Sequence, residues 1–209
     1  MSSTDPRART RKAPAERAAE ILAAATAIAR EQGLSALTLR AVAERAGVAS
    51  GLIAHYQPSM DDLVARVYTD LADEEILDVR SLLAGEASPA TRFTRLLETL
   101  LDGSREDLTV VWVEGWALSC RNAPLAAAVR EQMSKWQGLL VEVVDDGCAD
   151  GSFATAQAAD VAWQIMGMID GLNAQSLVRD ADPATAIAQM ARAAETLLGA
   201  RPGSLAPTP

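Results

Sequence analysis

Cysteine and histidine are almost missing from this chain, with two of the first and one of the second in 209 residues. Cys120 and Cys148 stand alone, without CxxC spacing or a nearby histidine. That arrangement offers no zinc site, and a chain of this length does not need a disulfide to hold its core, so two free thiols are expected. His55 is the only imidazole. A Ser-His-Asp or Cys-His centre would have to use it, and no Gly-rich phosphate loop or nucleophile elbow accompanies it, so the sequence does not read as an enzyme. No metal or cofactor is implied. Long apolar runs are also lacking, as is the apolar centre of a signal peptide after Met1–Pro6, which gives the expectation of a cytoplasmic protein with no membrane segment. Finally, no stretch alternates apolar and polar residues with β-branched enrichment, so no sheet is expected.

Acid outweighs base, and the net charge is −9. The imbalance is uneven. Residues 1–60 hold eight Lys or Arg against five Asp or Glu, which is +3 and leaves −12 for the other 149 residues. A basic N-terminal part can face phosphates while an acidic body keeps the rest of the molecule away from them.

What the chain has in abundance is helical periodicity and helix punctuation. Residues 1–13 are polar, basic and proline-containing and read as a disordered arm. Ala18, Ile21, Leu22, Ala25, Ile28 and Ala29 then mark one face of a helix that starts at Pro14 and stops at Gly33. Short helices follow over Thr38–Arg45 and Ser50–Tyr56, and Ser59 with Asp61 and Asp62 opens a long one through Leu83. Pro, Gly and Asn clusters divide the remainder into five segments, roughly 89–101, 105–120, 124–146, 156–179 and 184–198. The fold class is all-α with about nine helices. Its parts are an arm (1–13), a compact head (14–58), a larger helical body (59–200) and a frayed tail (201–209).

The most specific signal lies between Thr38 and Tyr56. Leu39, Val42, Ala43 and Ala46 share a helix face, Thr38 can cap the first amides, and Gly47 supplies the left-handed turn residue. Val48, Leu52 and Ile53 return apolar contacts, and Ala43 is small enough for the two axes to cross closely. This is a helix-turn-helix. Ser50, His55 and Tyr56 occupy the other face of its second helix, where hydroxyl and imidazole groups suit phosphate oxygens and base edges. Candidate DNA contacts are Arg9, Arg11 and Lys12 of the arm together with Thr38, Arg40, Ser50, Gly51, Leu52, His55 and Tyr56.

Gly33, Thr38, Ala43, Ala46-Gly47-Val48, Gly51, His55-Tyr56 and Leu63 fit the pattern of the TetR family, which the chain resembles from Ile21 through Leu63, with Gly51–Tyr56 most similar to the BetI-like branch. The resemblance implies a dimeric repressor released from operator DNA by a small molecule held among the fourth to eighth helices. It departs from the family at Ala54, Gln57 and Met60, where an aromatic or lysine is usual. Those departures shift phosphate contact toward the arm and the helix N-termini. A helical adaptor that uses the head for a protein partner is the alternative.

In the body, Trp112 and Trp116 are one helical turn apart and share a face with Leu108 and Cys120, lining either a cavity or the core. Trp136 reads as core. Glu114 lies about 200° around the helix from both rings, a poor partner for them. Asp170 is an acid inside the apolar segment Trp163–Leu172, costly to bury unpaired. Trp112, Trp116, Trp163, Met166 and Asp170 are therefore ligand candidates, and rings beside a carboxylate suit an organic cation, with a neutral apolar metabolite as the other class. Gly167, Gly171 and Ala174 form a small-residue groove, and the resemblance makes Trp163, Gly167, Gly171, Asn173, Ala174 and Met190 candidates for a homodimer interface.

Overall fold

A computed structural model describes residues 13–206, and the arm residues Arg9, Arg11 and Lys12 lie outside that range. Nine helices and no strand occur among the described residues. They are α1 (Pro14–Gln32), α2 (Leu39–Ala46), α3 (Ser50–Tyr56), α4 (Met60–Leu83), α5 (Pro89–Leu101), α6 (Glu106–Ser119), α7 (Ala123–Asp150), α8 (Ala158–Ser176) and α9 (Pro183–Leu198), with one 3₁₀ turn at Leu34–Ala36. None of these helices is long and apolar enough to cross a membrane.

Local chemistry sets the starts and stops of the first elements. Pro14 sits in the first turn of α1, where its missing N–H costs nothing. Thr38 Oγ1 accepts from the Ala41 amide at 3.1 Å and Ser59 Oγ from Asp62 at 3.1 Å, capping α2 and α4. Gly47 closes α2 at φ 65°, and its neighbour Val48 donates back to the Ala43 carbonyl at 3.0 Å. The chain thereby reverses within a few residues and presents α3 across α2.

Two apolar clusters hold the molecule, and α4 runs through both. Leu63, Val67, Tyr68 and Leu71 pack with Ile21, Ile28, Val42 and Ile53 of the head, whereas Ile76, Val79 and Leu83 pack with α5, α7, α8 and α9. Leu108, Val111, Leu125 and Val129 of the body also belong to the first cluster, so the core is continuous across the boundary expected at residue 58. Trp112 packs against both clusters.

Three expectations need correction. Gly147 does not end α7; the helix continues through it to Asp150 and stops at Gly151, φ 82°. Phe153 explains this, because its ring lies where a Cβ on residue 147 would be, so the glycine makes room for a returning chain. The tail is not frayed from residue 201. Leu205 is fully buried and its amide donates to Glu195 Oε1 at 2.9 Å, which satisfies a buried carboxylate on α9. Met190 is 1% exposed and sits in the body core, so it cannot form part of an interface in this conformation.

Candidate nucleic-acid interface and ligand cavity

The exposed side of the head carries the residues read from the sequence. Ile53 of α3 is fully buried and anchors the helix on α1, α2 and α4, which turns Ser50, Gly51 and His55 outward. Leu52 and Tyr56 are half-buried; the Tyr56 ring packs on the head core and meets His55 edge-on at 5.2 Å. Thr38 and Arg40 are exposed at the start of α2. Arg45, not among the candidates, is held against Glu31 of α1 in a two-pronged ion pair at 2.5 Å and braces the two helices. One face of the helix-turn-helix is therefore committed to packing, and the opposite face is a row of small and polar groups open to a ligand as broad as duplex DNA.

Behind the head, α6 connects two environments. On one side Glu114 accepts the Ser35 amide at 2.9 Å and the Ser35 hydroxyl at 2.5 Å, and its carboxylate lies over Gly33, where a Cβ would collide with it and where a φ of 84° separately favours glycine. Nearby, Arg30 of α1 bridges Asp107 of α6 at 2.9 Å and Glu74 of α4 at 2.8 Å. The reading of Glu114 as pointing away from the tryptophans agrees with these contacts. On its other side α6 contributes Trp112 and Trp116 to a cavity of about 250 Å³.

That cavity is bounded by α4, α6, α7 and α8, with Leu100 of α5 and Arg105 at the foot of α6. Trp112, Trp116, Trp163, Met166 and Asp170 all line it, as do Gly167, Asn173 and Ala174. The last three were expected at a dimer face, and a Cβ on Gly167 or Gly171 would meet nothing within 4 Å. Trp163 is 65% exposed, so the cavity opens beside a large ring that solvent still reaches. Trp112 and Trp116 meet at 6.0 Å, and Trp112 stands edge-on to Tyr68 at 5.3 Å.

Trp136 belongs to the cavity as well as the core, and Glu75 is a lining residue that the sequence reading passed over. A signal for it existed. Tyr68, Leu71, Glu75 and Val79 form one stripe at helical spacing on α4, and a carboxylate in an apolar stripe is as conspicuous as Asp170 is on α8. Glu75 is 5% exposed and accepts the Trp112 indole N–H at 2.9 Å. Burial pushes its carboxyl above the usual range despite that bond. Asp170 is raised to about 6 by burial and by the charge of Glu75. Neither carboxyl forms an ion pair among the described residues, although Arg105 lines the same space. Two acids and four indole rings around one opening make a site electrostatically suited to a cation.

Comparison with known proteins agrees with this architecture. The family model described as bacterial regulatory proteins, tetR family, matches residues 21–67, and the one described as BetI-type transcriptional repressor, C-terminal, matches residues 89–199. The HTH-type transcriptional repressor KstR2 of Mycolicibacterium smegmatis is 26% identical over 154 residues, covering 73% of this chain and 75% of the relative. Among solved structures, a transcriptional regulator from Saccharomonospora viridis in complex with choline superposes with a TM-score of 0.75 at 21% identity, covering 84% of this chain and 94% of that one. A TetR-family regulator from Rhodococcus gives 0.72 at 20% identity, with 88% and 99% covered.

Proposed function

The chain belongs to the TetR family of DNA-binding transcriptional regulators, a family of regulators rather than enzymes, and on that premise we propose that it is a dimeric repressor whose ligand is an organic cation. The observation that carries the ligand class is the joint lining of one cavity by Glu75, Asp170, Trp112, Trp116, Trp136 and Trp163. Ring faces attract a cation through their quadrupole, and two carboxylates supply the charge that a neutral metabolite would leave unpaired. The regulator from Saccharomonospora viridis that resembles it in fold was solved with choline, a cation of this class.

DNA contact is assigned to Thr38, Arg40, Ser50, Gly51, Leu52, His55 and Tyr56, with Arg9, Arg11 and Lys12 of the arm adding charge. Dimerisation uses the exposed side of α8, where Trp163 and Met168 are 65% and 39% exposed and Gly167 and Gly171 leave room for a close helix. A pair of heads then reads a two-fold site with half-sites roughly 34–36 Å apart or a multiple of that distance. Selection from a random duplex library should return a near-palindrome, and light scattering should show a dimer. Choline at millimolar concentration should release that duplex, whereas 3,3-dimethylbutan-1-ol, its uncharged carbon isostere, should not. Equal release by both compounds would exclude the cationic reading while leaving the repressor standing.

A further inference from the structure

Neither of the two cavity carboxyls forms an ion pair among the described residues, and the one cation on the cavity wall, Arg105, acts on Glu75 rather than on Asp170. Asp170 forms no hydrogen bond or ion pair among the described residues, and the single bond to Glu75 comes from a neutral indole. Arg105 lines the same wall and its charge favours the ionised form of Glu75 without forming an ion pair with it among the described residues, while Arg30, which acts on Glu75 in the same sense, is engaged with Glu74 and Asp107. From α4 the other titratable neighbour is Tyr68, a buried phenol without a hydrogen-bond partner among the described residues, whose ionisation is pushed far upward, so it stays neutral. From α7 the lining groups are Met133, Ser134, Trp136 and Gln137, none of which is charged. Two acids confined to one low-dielectric space cannot both ionise cheaply, and the usual resolution is that the pair keeps a proton.

Resting on the cationic reading above, we infer that under mildly acid conditions the cavity retains a proton on Asp170 and that a permanently charged ammonium enters in exchange for it, releasing that proton to solvent. Asp170 faces the cavity from α8 and Glu75 from α4, so a cation seated between the rings meets both. The weaker acid of the pair then ionises because the ligand charge replaces its proton. Burial and the charge of Glu75 hold Asp170 at about 6, which puts the exchange within the range of pH that a cell experiences. Ligand affinity thereby depends on pH even though the ligand does not titrate, and the regulator responds less to its effector under acid conditions.

Tetramethylammonium and choline are suitable probes because neither carries a proton in this range. Titration calorimetry of the full chain at pH 5.5, in two buffers of different ionisation enthalpy, should show about three-quarters of a proton released per ammonium bound and none for 3,3-dimethylbutan-1-ol. The dissociation constant for choline should rise about tenfold for each pH unit below about 6 and be flat above about 7. Asp170→Asn should abolish the proton release and flatten the profile, with circular dichroism checking that the variant folds. Glu75→Gln, which keeps an acceptor for Trp112, should lower the pH at which the profile bends. Ammonium binding with no proton release, or an unchanged profile in Asp170→Asn, overturns the exchange alone. Failure of both ammonium ions to bind at pH 8 overturns the cationic reading and the exchange with it.

Discussion

The head and the cavity are built from opposite materials. The recognition side of α2 and α3 is made of small and polar groups on short helices, turned outward because Ile53 and Val42 are turned inward. The cavity is made of large rings and carboxyls on four long helices, turned inward where they meet. A duplex is broad and charged, so a convex row of hydrogen-bonding groups suffices to meet it. A small cation offers little area, so its site must surround it and exclude water before rings and carboxylates gain strength. Between the two stands α6, which holds Ser35 of the head through Glu114 and lines the cavity with Trp112 and Trp116.

The sharpest way to separate the two regions is to remove the anchor of one. Ile53→Ala deletes a fully buried side chain from the head cluster and should cost about 3 kcal/mol, within the range for such truncations. Operator binding should disappear in a gel shift, while choline binding, in a cavity that Ile53 does not line, should survive at temperatures where the body remains folded. Gly33→Ala comes next, at about 2–3 kcal/mol. It forces a φ of 84° on a residue with a Cβ and drives that atom into the Glu114 carboxylate, so a lowered melting temperature should coincide with a weakened contact between α6 and the head.

Asp170→Asn tests the other region, and its sign depends on pH. Asp170 has its folded pKa raised to about 6 from an ordinary value of 3.8, so the folded protein binds the extra proton and wild-type stability declines as pH rises between those values. The asparagine does not titrate. The variant should therefore gain on the wild type by roughly 1–2 kcal/mol at pH 8, a discount from the full shift for the part of the carboxyl that water reaches, and the gain should vanish near pH 4. Urea melts at the two pH values measure it. A constant difference at both would mean that packing, not ionisation, sets the effect.

The same contrast governs how much could be read before the fold was known. In the head, contacts are local: Thr38 caps three residues ahead, Gly47 turns the chain, and Ala43 meets Val48, so spacing alone reveals which face packs and which is open. In the body, Glu75 on α4 and Asp170 on α8 are 95 positions apart, and only the packing of both helices on α6 and α7 brings them to one cavity. Trp112, Trp116, Trp163, Met166 and Asp170 were legible as a set because apolar stripes expose their odd members. Trp136 was read as core, which its burial bears out, and its second role at the cavity edge was not legible because a ring there has the same periodicity as one inside a core. Gly147 was misread as a stop because the ring that occupies its missing Cβ, Phe153, belongs to the next loop. Met190 was placed at an interface by analogy of position, and its burial follows from α9 packing on α5 and α8.

The smallest effect expected is also the one that asks whether the two regions communicate through the path that the structure shows. Glu114 is half-buried and accepts two hydrogen bonds from Ser35, whereas no shared partner links it to the cavity residues. Glu114→Gln keeps the size of the side chain and one acceptor oxygen but removes the charge that strengthens those bonds, so stability should fall by no more than about 1 kcal/mol. Choline affinity of the free protein should be unchanged, and operator affinity without ligand should change little. What should shrink is the factor by which choline weakens operator binding, since a ligand that moves α6 then pulls on a looser contact. Coupling of this kind is typically about 1–3 kcal/mol, and losing a third of it would reduce the factor by roughly two to five. By linkage, operator DNA should weaken choline binding by the same reduced factor, which gives two independent titrations that must agree. An unchanged factor in both would show that α4, shared by the two cores, carries the signal rather than the bond between Glu114 and Ser35.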